Sequence, residues 1–345
     1  MSRHDEPFTR RELLRRGRRW GAAVLTAGSS AAFLAACGAT SKASTPTPTA
    51  TLTPTPTATP DTRPVTIGVT GDIMLGRSIT QRMLASSNLY PFNGVADALK
   101  EFDVTVGNLE CVVSRQGSPI PGKQYTFEAD PIGFARLQAA GYDIVSVANN
   151  HSGDYGKTAF MDELGRLPQY GLTALGGGAN LTAAHQPVIR TVRETTLGFL
   201  AYCEIEPNGF AATATTPGHA WLDPALMTAD IKATRPLVDF LIVFTHWGIE
   251  YQPQESYEQD AMARVAIDAG ADFVVGAHPH VIQPSSSYRG KPIVYSIGNF
   301  VFDEMPTEDV RRGNVLSLTI QRSILLDWSL RTSRLGADWA PVWLD

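Results

Sequence analysis

Five apolar, strand-like runs in this chain each end in side chains that can bind a metal ion or carry a proton. The runs are VTIGVTGD, FDVTVGNLE, YDIVSVANNH, VDFLIVFTHWG and DFVVGAHPH. The polar residues at their ends are Asp72, Asn108, Glu110, Asn149, Asn150, His151, His246, His278 and His280. In open α/β sheets the ligand crevice lies at the carboxyl edge of the strands. The five ends are therefore predicted to meet at one place.

Helix-like segments alternate with the apolar runs from Val65 onward, and this pattern predicts a layered α/β fold. Asp130 and Pro131 are typical of a helix start before IGFARLQAAG. A second amphipathic helix is predicted over YEQDAMARVAIDAGA, ending at Gly270. The segment NVLSLTIQ, after Asp303, predicts a further strand.

Composition limits the classes of partner. The chain has 345 residues, of which 43% are hydrophobic and 18% charged, so it can bury a large core. Of its 29 basic and 34 acidic residues, seven Arg and three acids precede Cys37, which leaves 22 and 31 in the rest, a net charge of −9. An acidic body argues against a nucleic-acid partner.

The first 36 residues are predicted to be an export signal, with a charged head, an uncharged middle and small residues before Cys37. The segment around Arg10 and Arg11 resembles a twin-arginine signal, and LAAC, ending at Cys37, resembles a bacterial lipobox in which the cysteine is lipidated. The alternative is an uncleaved membrane anchor, although the uncharged stretch is short for a span.

Residues 37–64 are rich in Thr and Pro and show no apolar periodicity, which predicts an extended tether. Residues 65–345 then form the folded domain. Together these features predict an extracytoplasmic protein attached to a bacterial membrane by its lipid.

The three cysteines, Cys37, Cys111 and Cys203, include no CxxC pair, so a thiolate zinc site is not expected. Cys111 and Cys203 can still bridge each other, and the sequence leaves this open. His185 and His219 do not lie at strand ends and are interpreted as surface or packing residues.

The donor set at the strand ends suits divalent cations. Carboxylate, amide oxygen and neutral imidazole together favour a borderline ion such as Mn, Zn or Fe. Asp72, Glu110, Asn150, His246, His278 and His280 are too many ligands for one tetrahedral centre. Two ions bridged by a carboxylate fit better, and such a pair activates water to hydroxide near neutral pH.

The strings GDIMLGR, GNLE, ANNH, THWGIEY, GAHPHVIQP and YSIGNFVFD resemble the CapA/PgsA family within the calcineurin-like metallophosphoesterase superfamily. The resemblance implies an αββα sandwich with its metal site at the C-terminal strand ends, and a link to poly-γ-glutamate capsule synthesis. It implies that Asp72 and His280 hold one ion, that Asn150, His246 and His278 hold the other, and that Glu110 bridges them. His151 would be the general acid.

The resemblance also implies a surrounding set that orients ligands or binds substrate, namely Asn108, Asn149, Glu250, Tyr295 and Asn299. One position departs from the wider superfamily, which begins with Asp-X-His where this chain has Asp72-Ile73-Met74. Because a thioether is a weak ligand for these ions, the first metal position is expected to be the weaker of the two.

The sequence is compatible with two functions of different class. One is a membrane-attached, metal-dependent hydrolase acting on a phosphoester or on a γ-linked amide of the capsule polymer. The other is a non-catalytic lipoprotein that holds or guides the polymer within a membrane capsule-synthesis complex. A nutrient-binding lipoprotein would share the signal and tether but would not need the Gly-X-His-Pro-His motif.

Overall fold

A computed structural model of the chain describes residues 61–205 and 209–344. Its strands are β1 (Val65–Ile73), β2 (Val104–Leu109), β3 (Val112–Val113), β4 (Glu128–Ala129), β5 (Ile144–Ser146), β6 (Thr173–Leu175), β7 (Gly177–Gly178), β8 (Val188–Val192), β9 (Thr195–Cys203), β10 (Gly218–His219), β11 (Phe240–His246), β12 (Phe273–Ala277), β13 (Ser285–Tyr288), β14 (Lys291–Val294), β15 (Asn299–Val301), β16 (Arg312–Gln321), β17 (Ile324–Leu335) and β18 (Pro341–Trp343).

Seven α-helices lie between these strands in the described residues. They are α1 (Arg77–Ala85), α2 (Ala96–Leu99), α3 (Ile132–Ala140), α4 (Gly156–Arg166), α5 (Leu181–Ala184), α6 (Pro224–Thr234) and α7 (Tyr257–Ala269). Short 3-10 helices cover Leu167–Tyr170, Arg235–Leu237 and Asp309–Arg311. None of the described helices combines the length and the apolar composition that a membrane crossing requires.

Two sheets carry the fold. The eight-stranded sheet has the order β18-β17-β16-β1-β2-β5-β6, and β15 also pairs with β1. The six-stranded sheet has the order β13-β14-β12-β11-β9-β8. β1, β2, β5 and β6 run parallel in the first sheet, and β9, β11, β12 and β14 run parallel in the second. Parallel strands require crossover helices, which accounts for the alternation in the sequence.

The sheets pack face to face and each carries helices on its outer side. The core between them contains Val69 and Val106 from the first sheet and Phe199, Ile242 and Val275 from the second. A second core packs α1, α2 and α3 on the first sheet, and a third packs α6 and α7 on the second. The predicted αββα sandwich is thereby confirmed.

Local signals in the sequence place several helix ends correctly. Asp130 Oδ1 accepts a hydrogen bond from the Ile132 backbone N–H at 2.9 Å, where α3 begins. α7 starts with a capping box, in which Ser256 and Gln259 bond to each other's backbone N–H groups. It ends at Gly270, whose φ of 126° favours glycine. The segment NVLSLTIQ lies in β16, as predicted.

The cysteines of the folded domain do not form a disulfide. Cys111 and Cys203 are both buried and both free, so the bridge that the sequence left open is not formed. Cys111 Sγ lies 3.4 Å from the Leu75 backbone N, and burial raises the pKa of the Cys111 thiol well above its usual range. The predicted export signal, Cys37 and the tether up to residue 60 lie outside the described residues.

Helix α4 contains a buried acid for which the fold supplies little compensation. Neither carboxyl oxygen of Glu163 has a hydrogen-bond partner within the described residues, and burial raises the pKa of Glu163 well above its usual range. The folded state therefore holds a proton that the unfolded chain releases above about pH 4.3. Because of this difference in proton binding, the free energy of unfolding falls as the pH rises from about 4.3 towards the raised pKa of Glu163 in the folded protein.

We expect Glu163→Gln to stabilise the protein by about 1–3 kcal/mol at pH 8 and by much less at pH 4.5, because only the titrating carboxyl is penalised by high pH. Urea unfolding of the variant and the parent at the two pH values measures the difference directly. An equal change at both pH values would show that the buried carboxyl does not titrate in this way.

Candidate metal centre

Strand register brings the polar ends of the first sheet to one level. Asp72 on β1 pairs with Asn108 on β2, and Asn108 pairs in turn with Ser146 on β5. In the second sheet, His246 on β11 pairs with Ala277, the last residue of β12. Because these strands are parallel within each sheet, their carboxyl ends share an edge, as the sequence pattern predicted.

The GAHPH segment reverses direction immediately after β12. His278 and His280 have φ values of 96° and 58°, in the left-handed region that residues with a Cβ rarely adopt. This turn directs both imidazoles towards the same cluster, with their ring centroids 5.8 Å apart. Strain of this kind is held by surrounding structure and concentrates at functional sites.

One half of the cluster is built around Asp72. Its Oδ2 lies 3.2 Å from His280 Nδ1 and accepts a bond from the His278 backbone N–H at 3.3 Å. His280 Nδ1 also lies 2.9 Å from Asn299 Oδ1 on β15. These contacts use the Nδ1 side of His280 and leave Nε2 directed towards Glu110, at 3.7 Å from Oε1.

The other half is built around His246. Its Nε2 lies 2.8 Å from Asn150 Oδ1 and 3.7 Å from Glu110 Oε1. Its ring centroid is 4.8 Å from that of His278. The Asn108 amide nitrogen joins the two halves, at 2.8 Å from Asp72 Oδ1 and 3.2 Å from His246 Nδ1.

Glu110 lies between the halves, and its carboxyl group has no hydrogen-bond partner within the described residues. Both carboxyl oxygens are buried and unbonded within the part of the chain that the structure describes, as is Nδ1 of His278. Two groups of three residues each have ligand atoms that all lie within 4.8 Å of one another. One group is Glu110, His278 and His280, and the other is Asp72, Glu110 and His246. These groups combine ligands that the family resemblance assigns to different ions, but Glu110 belongs to both groups, as expected for the bridging ligand.

Burial and mutual charge set the protonation of this cluster. Burial raises the pKa of Glu110 well above its usual range, and the nearby Asp72 carboxylate raises it further. Burial lowers the pKa of His278 to about 3 and that of His246 well below its usual range, with neighbouring imidazoles adding to the effect. Both imidazoles are therefore neutral at neutral pH, which is the form that binds metal ions.

Beside the cluster, His151 is held by an acid that sequence inspection missed. His151 Nδ1 lies 2.7 Å from Asp154 Oδ2, and Asp154 also forms an ion pair with Lys123. Lys123 Nζ donates to the Asn150 carbonyl oxygen at 2.7 Å, which ties this group to a predicted ligand. Burial lowers the pKa of His151 to about 4, although Asp154 opposes that shift.

Aromatic rings fix the His151 imidazole from the side. Phe127 stacks on it with ring centroids 4.1 Å apart, and Phe302 contacts the rings of both Phe127 and His280. The guanidinium carbon of Arg77 lies 4.8 Å from the Phe127 ring centroid. The spacing of His151 and Asp154 in NHSGD was visible in the sequence, whereas Lys123, Phe127 and Arg77 carried no comparable signal.

The surrounding residues divide into those that touch ligands and those that do not. Asn108 and Asn299 bond to cluster residues, and Asn149 donates to Asn108 Oδ1 at 3.1 Å. Glu250 is exposed, and within the described residues it forms no hydrogen bond to the cluster. Burial opposes the raised pKa of His280, which comes from its bond to Asp72 first and from the Glu250 charge only to a smaller extent.

The side chain of Tyr295, which the resemblance assigned to orienting ligands or binding substrate, makes its contacts outside the cluster. Its hydroxyl donates to Asp260 Oδ1 on α7 at 2.7 Å, and its ring packs with Trp247 in the helix-covered core of the second sheet. The sequence could not show which face of the sheet this side chain occupies, because Tyr295 directly follows β14 and an offset of one residue reverses the face.

Met74 lies where the family resemblance leads one to expect a histidine, and within the described residues its side chain forms no hydrogen bond with the cluster. Its side chain is fully buried in the core that packs α1, α2 and α3 on the first sheet. Its sulfur accepts a hydrogen bond from the Gly76 backbone N–H at 3.0 Å. The Asp72 half of the cluster therefore rests on Asp72, Glu110 and His280.

Comparison with known proteins gives a family match over most of the folded domain. The family model described as "Bacterial capsule synthesis protein PGA_cap" matches residues 66–304. The PGA biosynthesis protein CapA of Bacillus subtilis is 34% identical over 239 residues, or 68% of this chain and 62% of that protein. The capsule biosynthesis protein CapA of Bacillus anthracis is 32% identical over 247 residues, or 70% and 60%. The match thus spans about 60% of the length of these relatives.

Similarity to solved structures is evidence for the fold and not for the function. A hypothetical protein from Thermus thermophilus aligns with a TM-score of 0.51 and 15% identity, covering 78% of this chain and 98% of that one. A Staphylococcus aureus protein assigned as a 5'-nucleotidase, in complex with alpha-ketoglutarate, aligns with a TM-score of 0.51 and 14% identity, covering 81% and 55%.

Proposed function

The chain belongs to the bacterial capsule synthesis PGA_cap family, and from this premise we propose that it is a poly-γ-glutamate capsule protein with a metal-dependent hydrolase site. The observation that carries the hydrolase site is the Glu110 carboxyl, which is buried, has no hydrogen-bond partner among the described residues and lies among the imidazoles of His246, His278 and His280. A buried acid without partners is costly unless a cation accompanies it.

The donor set fits a pair of divalent ions. Asp72 and His280 would hold one, Asn150, His246 and His278 the other, and Glu110 both. These nitrogen and oxygen donors suit Mn, Zn or Fe rather than Mg, which prefers oxygen alone. When bound, such ions supply an activated water and offset negative charge that develops in the reaction.

The chain's own residues supply proton transfer and orientation. In hydrolysis of a phosphoester, a water oxygen bonds to phosphorus and the bond from phosphorus to the leaving oxygen breaks. Asp154 holds Nδ1 of His151, so Nε2 is the nitrogen that can give a proton to the leaving oxygen, and it does so from the doubly protonated imidazole that the Asp154 carboxylate favours. The proton that the water loses goes to solvent. Lys123 fixes Asp154, and the stacked Phe127 ring restricts rotation of the imidazole.

We place the protein on the outer side of a bacterial membrane, attached through lipid at Cys37. The support is the sequence of the first 64 residues: the charged head, the lipobox-like LAAC and the Thr/Pro-rich tether. Its partners in this proposal are a phosphoester or the capsule polymer and a membrane capsule-synthesis complex.

Metal removal tests the hydrolase. We expect protein stripped by a chelator to hydrolyse bis(p-nitrophenyl) phosphate near the background rate and to recover on addition of Mn²⁺ or Zn²⁺, with up to two ions bound per chain. Turnover and elemental analysis on the same samples provide the measurement. Full turnover by metal-free protein, or an intact protein that takes up no ion, would remove the proposal.

A non-catalytic role in holding the capsule polymer is the second candidate. The observation in its favour is Met74, since a thioether bonded to Gly76 replaces an imidazole ligand of the wider superfamily. The acidic body counts against binding of a polyanion unless metal ions provide positive charge.

A further inference from the structure

A cavity of about 630 Å³ is lined by Val281 and Tyr251, the chain neighbour and the ring neighbour of His280 in the candidate metal centre. Its walls include the apolar side chains of Val281, Ile282, Met305 and Val310. A volume of this size is typical of pockets that hold small molecules, and such pockets are mostly apolar. The phosphoester chemistry proposed above makes no use of it.

The cavity and the cluster share a scaffold. Val281 directly follows His280, and Asn299 bonds to both sides: its Oδ1 lies 2.9 Å from His280 Nδ1, and its Nδ2 donates to the Val310 carbonyl oxygen at 2.8 Å. The half-exposed ring of Tyr251 lines the cavity, and its centroid lies 6.1 Å from that of His280. The cavity and His280 are therefore neighbours that share Asn299 and Tyr251 as supports.

Tyr251 is held at this junction in a strained conformation. Its φ is 64°, and its backbone N–H donates to the Pro279 carbonyl oxygen at 2.8 Å, between the two cluster histidines. A non-glycine residue keeps such a backbone only where the surrounding structure imposes it. The backbone of Tyr251 is thus fixed beside His280.

The charges around the cavity do not suit an anionic occupant. Glu304 and Asp309 line it, and the one cation among its described lining residues is Arg312. Arg312 Nε lies 3.2 Å from Glu308 Oε1, and Glu304 Oε2 lies 3.2 Å from a guanidinium nitrogen of Arg77. A γ-glutamyl chain carries one carboxylate per residue, and here it would meet carboxylates and apolar walls.

We propose that this cavity binds an uncharged, apolar arm of the substrate, such as an alkyl chain, attached to the anionic group that reacts at the metal cluster. This inference rests on the proposed hydrolase function and specifies the substrate class: a phosphoester that carries an alkyl arm, in place of a free polyanion. The anionic group faces the metal ions, and the arm buries its methylenes against Val281, Ile282 and Met305.

Binding of methylphosphonate and hexylphosphonate to the Mn²⁺-loaded full chain, measured by calorimetry, tests the cavity without any turnover, because the P–C bond is not hydrolysed. We expect hexylphosphonate to bind at least about tenfold more tightly, since each methylene removed from water adds to affinity. Equal affinities, or no binding of either compound, would overturn the proposal.

Two variants test whether the difference in affinity between the two phosphonates depends on the cavity wall. Ile282 is part-exposed on the cavity wall, and Ile282→Asp should bring the ratio of the two affinities down towards one. Leu326→Asp, which places the same charge on an exposed apolar residue of β17, should keep the ratio of the parent protein. A ratio that survives Ile282→Asp, or that falls equally in Leu326→Asp, would place the alkyl chain elsewhere and contradict the cavity assignment.

Turnover of bis(p-nitrophenyl) phosphate separates this inference from the function on which it rests. Metal-dependent turnover together with equal affinities for hexylphosphonate and methylphosphonate would support the hydrolase and disprove the apolar subsite. Tighter binding of hexylphosphonate than of methylphosphonate, without turnover, would support the subsite and count against hydrolysis.

Discussion

Replacing Glu110 with Gln is expected to abolish metal binding and at the same time to stabilise the metal-free protein. Glu110 is buried, unbonded within the described residues and close to the Asp72 carboxylate, so its charge is costly without cations. We expect metal-free Glu110→Gln to gain about 1–3 kcal/mol of unfolding free energy. Its turnover should fall roughly a thousandfold or more, which corresponds to about 4 kcal/mol of lost transition-state stabilisation.

Thermal unfolding with and without Mn²⁺, elemental analysis and turnover together measure these opposed effects. The parent protein should gain stability from Mn²⁺ by mass action, and Glu110→Gln should gain none. Glu163→Gln is the matched control, because Glu163 is also a buried, unbonded carboxyl among the described residues but belongs to α4 and not to the cluster. Retention of two ions by Glu110→Gln would disprove the role of Glu110 as the shared ligand.

Replacing His151 with Asn is expected to lower turnover by about 10²–10⁴-fold while the metal content stays unchanged. The reason is geometric: His151 is bonded to Asp154 and stacked on Phe127, and Nε2 of the ring makes no hydrogen bond within the described residues, so it can carry the proton. The loss should be largest for alkyl leaving groups, which need protonation, and smaller for p-nitrophenolate, which leaves readily without it.

His185→Asn provides the control for this prediction. His185 forms the same kind of pair, with Nδ1 2.7 Å from Asp230 Oδ2, but it lies at the C-terminal end of α5, outside the cluster. It should leave turnover close to that of the parent. Unchanged turnover and an intact capsule phenotype in His151→Asn, with metal bound, would favour the polymer-binding role over catalysis.

The family motifs and the strand-end pattern predicted the fold class and the cluster because both depend on local, periodic features. Apolar runs of strand length with helices between them specify a layered α/β fold, and parallel strands place their carboxyl ends together. Asp72, Glu110, Asn150, His246, His278 and His280 are accordingly found in one buried group. Their roles as metal ligands stay predictions.

Other features escaped sequence analysis because they depend on long-range contacts. Lys123 reaches Asp154 and Asn150 from a loop that has no regular pattern, and Tyr295 faces the helices although its neighbours in sequence suggested the site. The fate of Cys111 and Cys203 likewise depends on distance in space, which spacing in the chain does not reveal.

By itself the sequence determined which residue types end each strand, and with them the chemistry available to this protein, because side-chain identity and strand periodicity are local properties. Tertiary structure alone decided that the Glu110 carboxyl has no hydrogen-bond partner among the described residues, that Lys123 reaches Asp154 and Asn150, and that an apolar cavity adjoins His280. The physical reason is clearest at Glu110 and His246, which lie more than a hundred positions apart in the chain but come within 3.7 Å because the two sheets pack against each other, and burial then shifts the pKa of both.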